Sequence, residues 1–327
     1  MKICVFGAGA IGGNLATRLA AAGGHEISVV ARGAQLQAIR TRGLTLTRNG
    51  HPTVSVGPLP ATDRPADLPP QDLLLVTLKA QLLPGAAAAI AGLLAPGATA
   101  VFINNGITWW WPYRGDREAG PLPLLDPEGE LWTRVGPERA LGCVVYSANA
   151  VESPGVIHNA ALDRWILGEP AGGGSERCAR VSQVFADAGI GSSVSHDLRR
   201  DIWAKLLINA SRSPIAALTR LTTLELCHDS ELRAMTRSVM TETLAVARAT
   251  GYDLRGEVDV EQISRGKGLP AGQRTSMLQD VLARRPMEIE PVLGQVQAFG
   301  RQHQVATPVI DCVLPMLRGL NRWIVEG

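Results

Sequence analysis

Apolar positions in the first hundred residues fall into short unbroken runs separated by stretches at helical spacing. Ile3-Cys4-Val5-Phe6 reads as a short buried strand, and Ile27-Ser28-Val29-Val30-Ala31 as a second. Between them Ile11, Leu15, Leu19 and Ala20 recur along one helix face, up to a stop at Gly23-Gly24. Residues 73–78 predict another strand, 86–94 a short helix ended by Pro96-Gly97, and 100–103 a strand that closes on Asn104-Asn105-Gly106. Residues 107–137 turn to Trp, Pro, Gly and charges, a long excursion from a sheet. Strand-like runs return at 141–147, 155–158 and 165–168, before an amphipathic helix over 175–188 and a Gly-Ser turn at 189–193. Near His196 the period changes. From Asp197 onward 3.6-residue periodicity dominates, interrupted at Pro214, Gly251, 266–272, Pro286 and Pro308. Alternating strands and helices followed by helices alone predict an α/β fold: a doubly wound sheet over residues 1–196 and an all-helical domain over 197–327.

The connection after the first strand carries chemistry. Gly7-Ala8-Gly9-Ala10-Ile11-Gly12 sits directly between strand and helix, which makes the first domain a Rossmann-type, dinucleotide-binding one. Gly7 permits the tight turn, Gly9 lets the backbone approach a pyrophosphate, and Gly12 lets the helix pack closely, with the phosphates at the positive helix N-terminus. Twenty residues after Gly12, at the tip of the second strand, stands Arg32. An NAD-specific site places Asp or Glu there to accept from the ribose 2′-hydroxyl; a guanidinium can instead grip a 2′-phosphate. NADP(H) is therefore expected as cofactor; the other reading is an ordinary strand-to-helix turn with Arg32 as a solvated surface charge.

Composition narrows the rest. The 327 residues exceed what a single core organises, and a hydrophobic content of 46% is ample for a soluble globular chain. The net charge of +2, without a basic cluster interleaved with aromatics, points away from nucleic acid and from a polybasic membrane patch. The chain opens at once on a core strand, with neither a leader pattern nor a bilayer-spanning apolar run. Five scattered cysteines without a C-x-x-C pair argue against disulfides and zinc. The six histidines show no H-x-x-x-H spacing, so no metal is expected. A reducing cytoplasm is the expected compartment.

Arginine is the default cation, since only Lys2, Lys79, Lys205 and Lys267 are lysines among 32 basic residues. Lys205 lies inside the apolar stretch Ile-Trp-Ala-Lys-Leu-Leu-Ile-Asn, with Asn209 one turn on and Ser213 a further turn, so the three share a stripe. Desolvation of an ammonium there lowers its pKa toward the working pH and suits a general acid, a role arginine cannot take; the other reading is a lysine snorkelling to solvent. Lys79 ends the strand at 73–78, on the edge where open parallel sheets hold ligands, and Asn105 stands on the same edge one strand on. Asn105 is either a ligand-holding amide or a plain turn residue. Ser276 and Gln279 have capping-box spacing at the start of a helix. A second helix is expected from Pro286, with Glu288 in its first turn. Capping and the helix dipole account for Ser276 and Glu288 when each is taken singly.

Taken together, these blocks resemble the ketopantoate reductase (2-dehydropantoate 2-reductase) family. They are Gly7-x-Gly9-Ala10-x-Gly12, Val76-Thr77-Leu78-Lys79-Ala80, Asn105-Gly106, Trp203-x-Lys205-Leu206-x-x-Asn209, and Thr275 through Asp280 followed by Glu288-Ile289-Glu290. The resemblance implies an active cleft between an N-terminal NADP-binding domain and a helical substrate domain. It also implies NADPH-dependent reduction of a small 2-oxo acid, with 2-dehydropantoate leading to pantoate, in pantothenate synthesis, as the first candidate. Lys205 would be the general acid, and Asn209 and Ser276 would hold the substrate's carboxylate and hydroxyl. Asn105 would touch both substrate and cofactor, Lys79 and Glu288 the cofactor, and Arg32 its 2′-phosphate. Assembly as a homodimer is an open expectation.

Two features depart from the family pattern. Ser213-Pro214 stands where an Asn before Pro is usual, so an amide contact to substrate is replaced by a hydroxyl. The segment after Gly106 is longer and opens with Trp109-Trp110-Trp111, of which at least one is expected to line a pocket, a lid or a subunit contact, plain loop packing being the other reading. The alternatives are a relative acting on a bulkier 2-oxo or 2-hydroxy acid, and a non-catalytic NADP-binding module that responds to redox state.

Overall fold

The computed structural model describes every residue except Arg117. The chain forms two compact units, one made of Met1–Asn104 with Trp109–Asp201 and the other of Asn105–Thr108 with Ile202–Gly327. The first contains β1 (Lys2–Phe6), α1 (Ala10–Ala22), β2 (Glu26–Val30), α2 (Gly33–Thr41), β3 (Leu44–Arg48), β4 (His51–Val56) and β5 (Ala61–Thr62). There follow β6 (Gln71–Val76), α3 (Leu83–Leu93), β7 (Leu94–Phe102), β8 (Ala140–Ser153), β9 (Val156–Gly168), α4 (Glu176–Asp187) and β10 (Ser192–Ser195). Six strands pair in parallel in the order β5-β2-β1-β6-β7-β8. Counted among themselves in chain order, these are strands 3-2-1-4-5-6, the arrangement of a Rossmann sheet, with its reversal point between β1 and β6.

The sheet continues past this core. β9 runs antiparallel to β8, β3 joins β9 in parallel, and β4 closes the edge against β3. The β3–β4 hairpin and β10 were not foreseen, because short, half-polar strands such as His51–Val56 lack an apolar run. Residues 155–158 and 165–168, expected as two strands, are the ends of one, since the exposed middle of β9 interrupts the apolar pattern without breaking the pairing to β8.

These added strands explain an unusual helix. Every residue of α1 from Gly12 to Leu19 is buried, whereas a helix on one face of a sheet leaves a polar side to water. α1 touches β3, β4, β8 and β9 as well as β1 and β2. Its polar residues are therefore paired: Asn14 donates to Asn149 Oδ1 at 2.7 Å, Thr17 to the Gly13 carbonyl at 2.7 Å, and Arg18 forms an ion pair with Asp163 at 2.7 Å.

The three tryptophans are buried, as plain loop packing would have them. Trp109, Trp110 and Trp111 are 2%, 0% and 5% exposed, so none presents an indole to solvent as a lid would. Consecutive side chains point in different directions, and each finds its own neighbour. Trp109 meets Phe102 edge-on at 5.2 Å, and Trp110 fills the space left by Gly142, where a Cβ would strike its ring. The buried Arg199 guanidinium lies 5.7 Å from the Trp110 ring and 5.6 Å from that of Trp111. Arg199 also donates to the Trp111 carbonyl at 2.9 Å, tying the excursion down from within its own unit.

The second unit is helical: α5 (Leu198–Thr219, whose first turn belongs to the first unit), α6 (Thr223–His228), α7 (Ser230–Ala249), α8 (Val260–Ser264), α9 (Ser276–Leu282), α10 (Gln295–Gln302) and α11 (Pro308–Glu326). Pro214, expected to interrupt, lies within α5, which continues for a further turn and a half. Proline removes one backbone bond, and the buried apolar residues Ile215, Ala216 and Ala217 beyond it keep the helix packed. Among the described residues no helix is long and apolar enough to cross a membrane.

Candidate active site

The glycine turn sits at the end of β1, beside the end of β6, where the strand order reverses. Gly7 has φ +106°, a conformation open to glycine. The Thr77 amide donates to the Phe6 carbonyl at 3.0 Å and its hydroxyl to the Gly7 carbonyl at 2.5 Å, which locks the turn to the neighbouring strand end. At Gly12 a Cβ would overlap the Gly7 carbonyl oxygen and lie 2.5 Å from Thr77 Oγ1, so no other residue fits without moving the turn. Gly9, by contrast, precedes α1 with open space where its Cβ would be and with no side chain capping the helix. Exposed, uncapped amides at a helix N-terminus, approachable because residue 9 has no side chain, suit a pyrophosphate. Arg32 is exposed at the head of α2, and among the described residues its guanidinium has no hydrogen bond or ion pair. Thr77 was legible only as part of a sequence block; its tethering role depends on two strand ends 70 residues apart in sequence being adjacent.

In the second unit three predicted residues come together. Lys205, half-buried on α5, donates from Nζ to Asn105 Oδ1 at 2.9 Å, and Asn105 Nδ2 donates to Glu288 Oε2 at 3.0 Å. Asn105 is thus more than a turn residue: its amide oxygen faces the ammonium and its amide nitrogen the carboxylate. The turn is held by Gly106, at φ +77°, where a Cβ would overlap the Pro291 backbone, and by the Ile107 amide donating to the Pro291 carbonyl at 2.8 Å. Trp203, fully buried two residues before Lys205, packs against Phe299 at 6.3 Å and fixes the rotation of α5.

Asn209 lies one turn beyond Lys205 and is partly exposed, and Ser213, a turn further, is buried. Ser276 is not the helix cap. Thr275 holds the non-helical cap geometry and accepts from the Leu278 amide at 3.2 Å, so the expected capping role moves back one residue, and Ser276 stands exposed in the first turn of α9. The helix expected from Pro286 begins later, at residues 289–290. Glu288 therefore precedes it, only 9% exposed, with its carboxylate accepting from Asn105. Lys79 caps the short turn after β6 and is partly exposed. All five cysteines are free; burial pushes the Cys4 thiol up to about 12 and that of Cys178 to about 11.

A glycine turn of this kind at the reversal point of a Rossmann sheet, with an ammonium held by an amide in a helical unit, defines a dinucleotide-dependent oxidoreductase. Comparison with known proteins gives the particular family. The family model described as Ketopantoate reductase PanE/ApbA matches residues 3–172, and that for the ketopantoate reductase C terminus matches 197–321. A 2-dehydropantoate 2-reductase from Mesorhizobium japonicum is 41% identical over 322 residues, covering 98% of each chain. Among solved structures, a Ralstonia solanacearum protein assigned as a ketopantoate reductase shares 38% identity at a TM-score of 0.89, over 99% of this chain and 98% of that one. A 2-dehydropantoate 2-reductase from Methylococcus capsulatus shares 27% at 0.81, over 100% and 99%. The chain belongs to the ketopantoate reductase family, NADP-dependent oxidoreductases acting on a CH–OH group.

Proposed function

We propose that this protein reduces 2-dehydropantoate to pantoate with NADPH, and that Lys205 is the proton donor. The observation that carries this reading is the hydrogen-bonded line Lys205–Asn105–Glu288, which holds an ammonium at a fixed position on a partly open helix face. NADPH, when bound, supplies the hydride that reduces the ketone carbon. As negative charge grows on the ketone oxygen, Lys205 stabilises it and transfers a proton to it, an interaction stronger in the transition state than in the bound substrate. Asn105 aims the ammonium, and Glu288 keeps Asn105 from rotating its amide. Asn209, Ser213 and Ser276 bind the substrate's carboxylate and hydroxyl. Support for Ser276 comes from its release from capping duty.

Gly7, Ala8, Gly9, Ala10, Ile11 and Gly12 receive the pyrophosphate, and Lys79, Asn105 and Glu288 complete the cofactor contacts. The reading includes the reducing cytoplasm, which suits five free thiols, and assembly as a homodimer, supported by the exposed Met316, Trp323 and Val325 on α11. The test is loss of reduced-nicotinamide absorbance when purified protein, NADPH and 2-dehydropantoate are mixed, with a panel of bulkier 2-oxo acids alongside. Turnover is expected with 2-dehydropantoate, and none with any acid would end the proposal.

Arg32 supplies a separate prediction. With its guanidinium uncommitted to protein groups, Arg32→Asp is expected to weaken NADPH by roughly 10- to 100-fold, the worth of a charge-assisted hydrogen bond to phosphate, and NADH much less. Fluorescence titration with both cofactors decides it; equal losses would remove Arg32 from the 2′-phosphate.

A further inference from the structure

One buried cation in the helical unit is left unexplained by the roles above. Arg212 lies on α5 seven residues after Lys205, and seven residues are two turns less about 20°, so the two side chains leave the helix on nearly the same line. Exposure falls along that line. Lys205, Ile208 and Asn209 are partly open, whereas Arg212 and Ser213 are 7% and 4% exposed. Arg212 therefore stands at the closed end of the strip on which the substrate is proposed to lie.

Its guanidinium is incompletely satisfied. Nη2 donates to the Ile263 carbonyl at the end of α8, while the buried Nε has no hydrogen-bond partner among the described residues. Among the described residues no carboxylate pairs with it: burial lowers the pKa of the guanidinium, and the group opposing that is the buried Cys227 thiol on α6. A buried cation ordinarily has an anion or a full set of acceptors. Every other buried arginine side chain described above has one or the other, Arg18 with Asp163 and Arg199 with backbone carbonyls.

We propose that Arg212 is a further specificity-determining residue, one whose Nε donates to an oxygen acceptor at the far end of the substrate, two or three carbons beyond the carbonyl, where the hydroxyl of 2-dehydropantoate lies. This rests on the reading of Lys205 as proton donor to the carbonyl oxygen. The spacing supports it. Seven residues of helix rise about 10.5 Å, and long side chains on a helix lean the same way, toward its N-terminus. Subtracting a hydrogen bond of about 2.9 Å at each end leaves about 4.7 Å between carbonyl oxygen and distal acceptor, the span of such a chain. The acceptor would satisfy Nε and supply the missing counter-charge or dipole. A substrate ending in a bare methyl would leave the guanidinium as it stands, buried and underpaired. Discrimination through an unmet buried donor is stronger than discrimination by apolar fit.

The experiment compares wild type, Arg212→Met and Arg212→Lys on 2-oxo acids of equal length ending in carboxylate, hydroxyl or methyl, with melting temperatures measured alongside. Arg212→Met is expected to raise KM for the carboxylate- and hydroxyl-ended acids by about 10- to 100-fold, with kcat and the methyl-ended KM nearly unchanged. Arg212→Lys should recover part of the carboxylate preference. Should the methionine variant not fold, Arg212→Gln keeps a donor for the Ile263 carbonyl, removes the charge and carries the same comparison. A shifted melting temperature with the three KM values moving together would make Arg212 a structural tether of α8 and overturn the proposal while leaving the proposed function intact. Wild type reducing none of the acids would overturn both.

Discussion

Lys205→Ala is expected to lower turnover by roughly 10²- to 10⁴-fold, the range that a positioned general acid contributes, while NADPH affinity stays within about twofold. The reason lies in where the ammonium sits. The ammonium donates to Asn105 Oδ1 at 2.9 Å, and the helix face around it at Ala204, Ile208 and Asn209 is partly open. Removing the amine takes away a charge at the ketone oxygen and leaves the glycine turn untouched. Single-turnover measurements with saturating NADPH, paired with a direct titration of the cofactor, separate the two effects. Unchanged turnover would remove Lys205 from the chemistry. A matching fall in cofactor affinity would make it a binding residue. Asn105→Ala should show a smaller loss of turnover, because the ammonium remains but is no longer aimed, together with weaker NADPH binding from the lost cofactor contact.

Gly12→Ala should be nearly as damaging by a different route. A single methyl at this position would overlap the Gly7 carbonyl oxygen and crowd Thr77 Oγ1 at 2.5 Å. Both neighbours are fixed: Gly7 by its own φ of +106° and by the Thr77 hydroxyl, Thr77 by the backbone bond to Phe6. Neither can move without shifting the start of α1, which is buried from Gly12 through Leu19 and has no free side to move toward. Overpacking of this sort costs about 1–3 kcal/mol, and much of that would appear as distortion of the turn. NADPH affinity is therefore expected to fall by about 10- to 100-fold, with the helical unit retaining its structure. Calorimetric titration of the variant checks it. Wild-type affinity would mean that the turn does not contact the cofactor. Gly9→Ala is the contrast: its Cβ meets nothing in the protein, so a loss there reports on the ligand alone.

Much of the site was legible before the fold was known, though unevenly. Gly7, Gly9, Gly12 and Arg32 could be placed because a βαβ unit is local: the strand, turn, helix and second strand span about thirty residues, and the pattern of apolar positions is enough to order them. The rotation of α5 was legible for the same reason, since Lys205, Asn209 and Ser213 follow from helical period alone. The misreading and the open reading share a cause. Ser276 looked like a cap because Ser and Thr are both good caps and period alone does not say which of two neighbours leaves the helix; the backbone of Thr275 decides that. The tryptophan run reads either as a pocket, lid or subunit contact or as plain loop packing, because three indoles do not fit one core, and nothing in the sequence announced that Gly142, Phe102 and Arg199 would each receive or flank one.

The amino-acid sequence by itself determined the class of fold and singled out the glycine turn and Lys205 as candidates, because each depends on residues close together along the chain, where periodicity and the geometry of a single turn or helix are sufficient. Tertiary structure alone decided which distant groups meet. Asn105 reaches Lys205 a hundred positions away and Glu288 nearly twice as far, Thr77 locks Gly7, and Arg212 is shut into the end of the α5 strip beside Cys227 and Ile263. Those pairings come from strands and helices packing to bury apolar surface, a long-range outcome that no local spacing encodes.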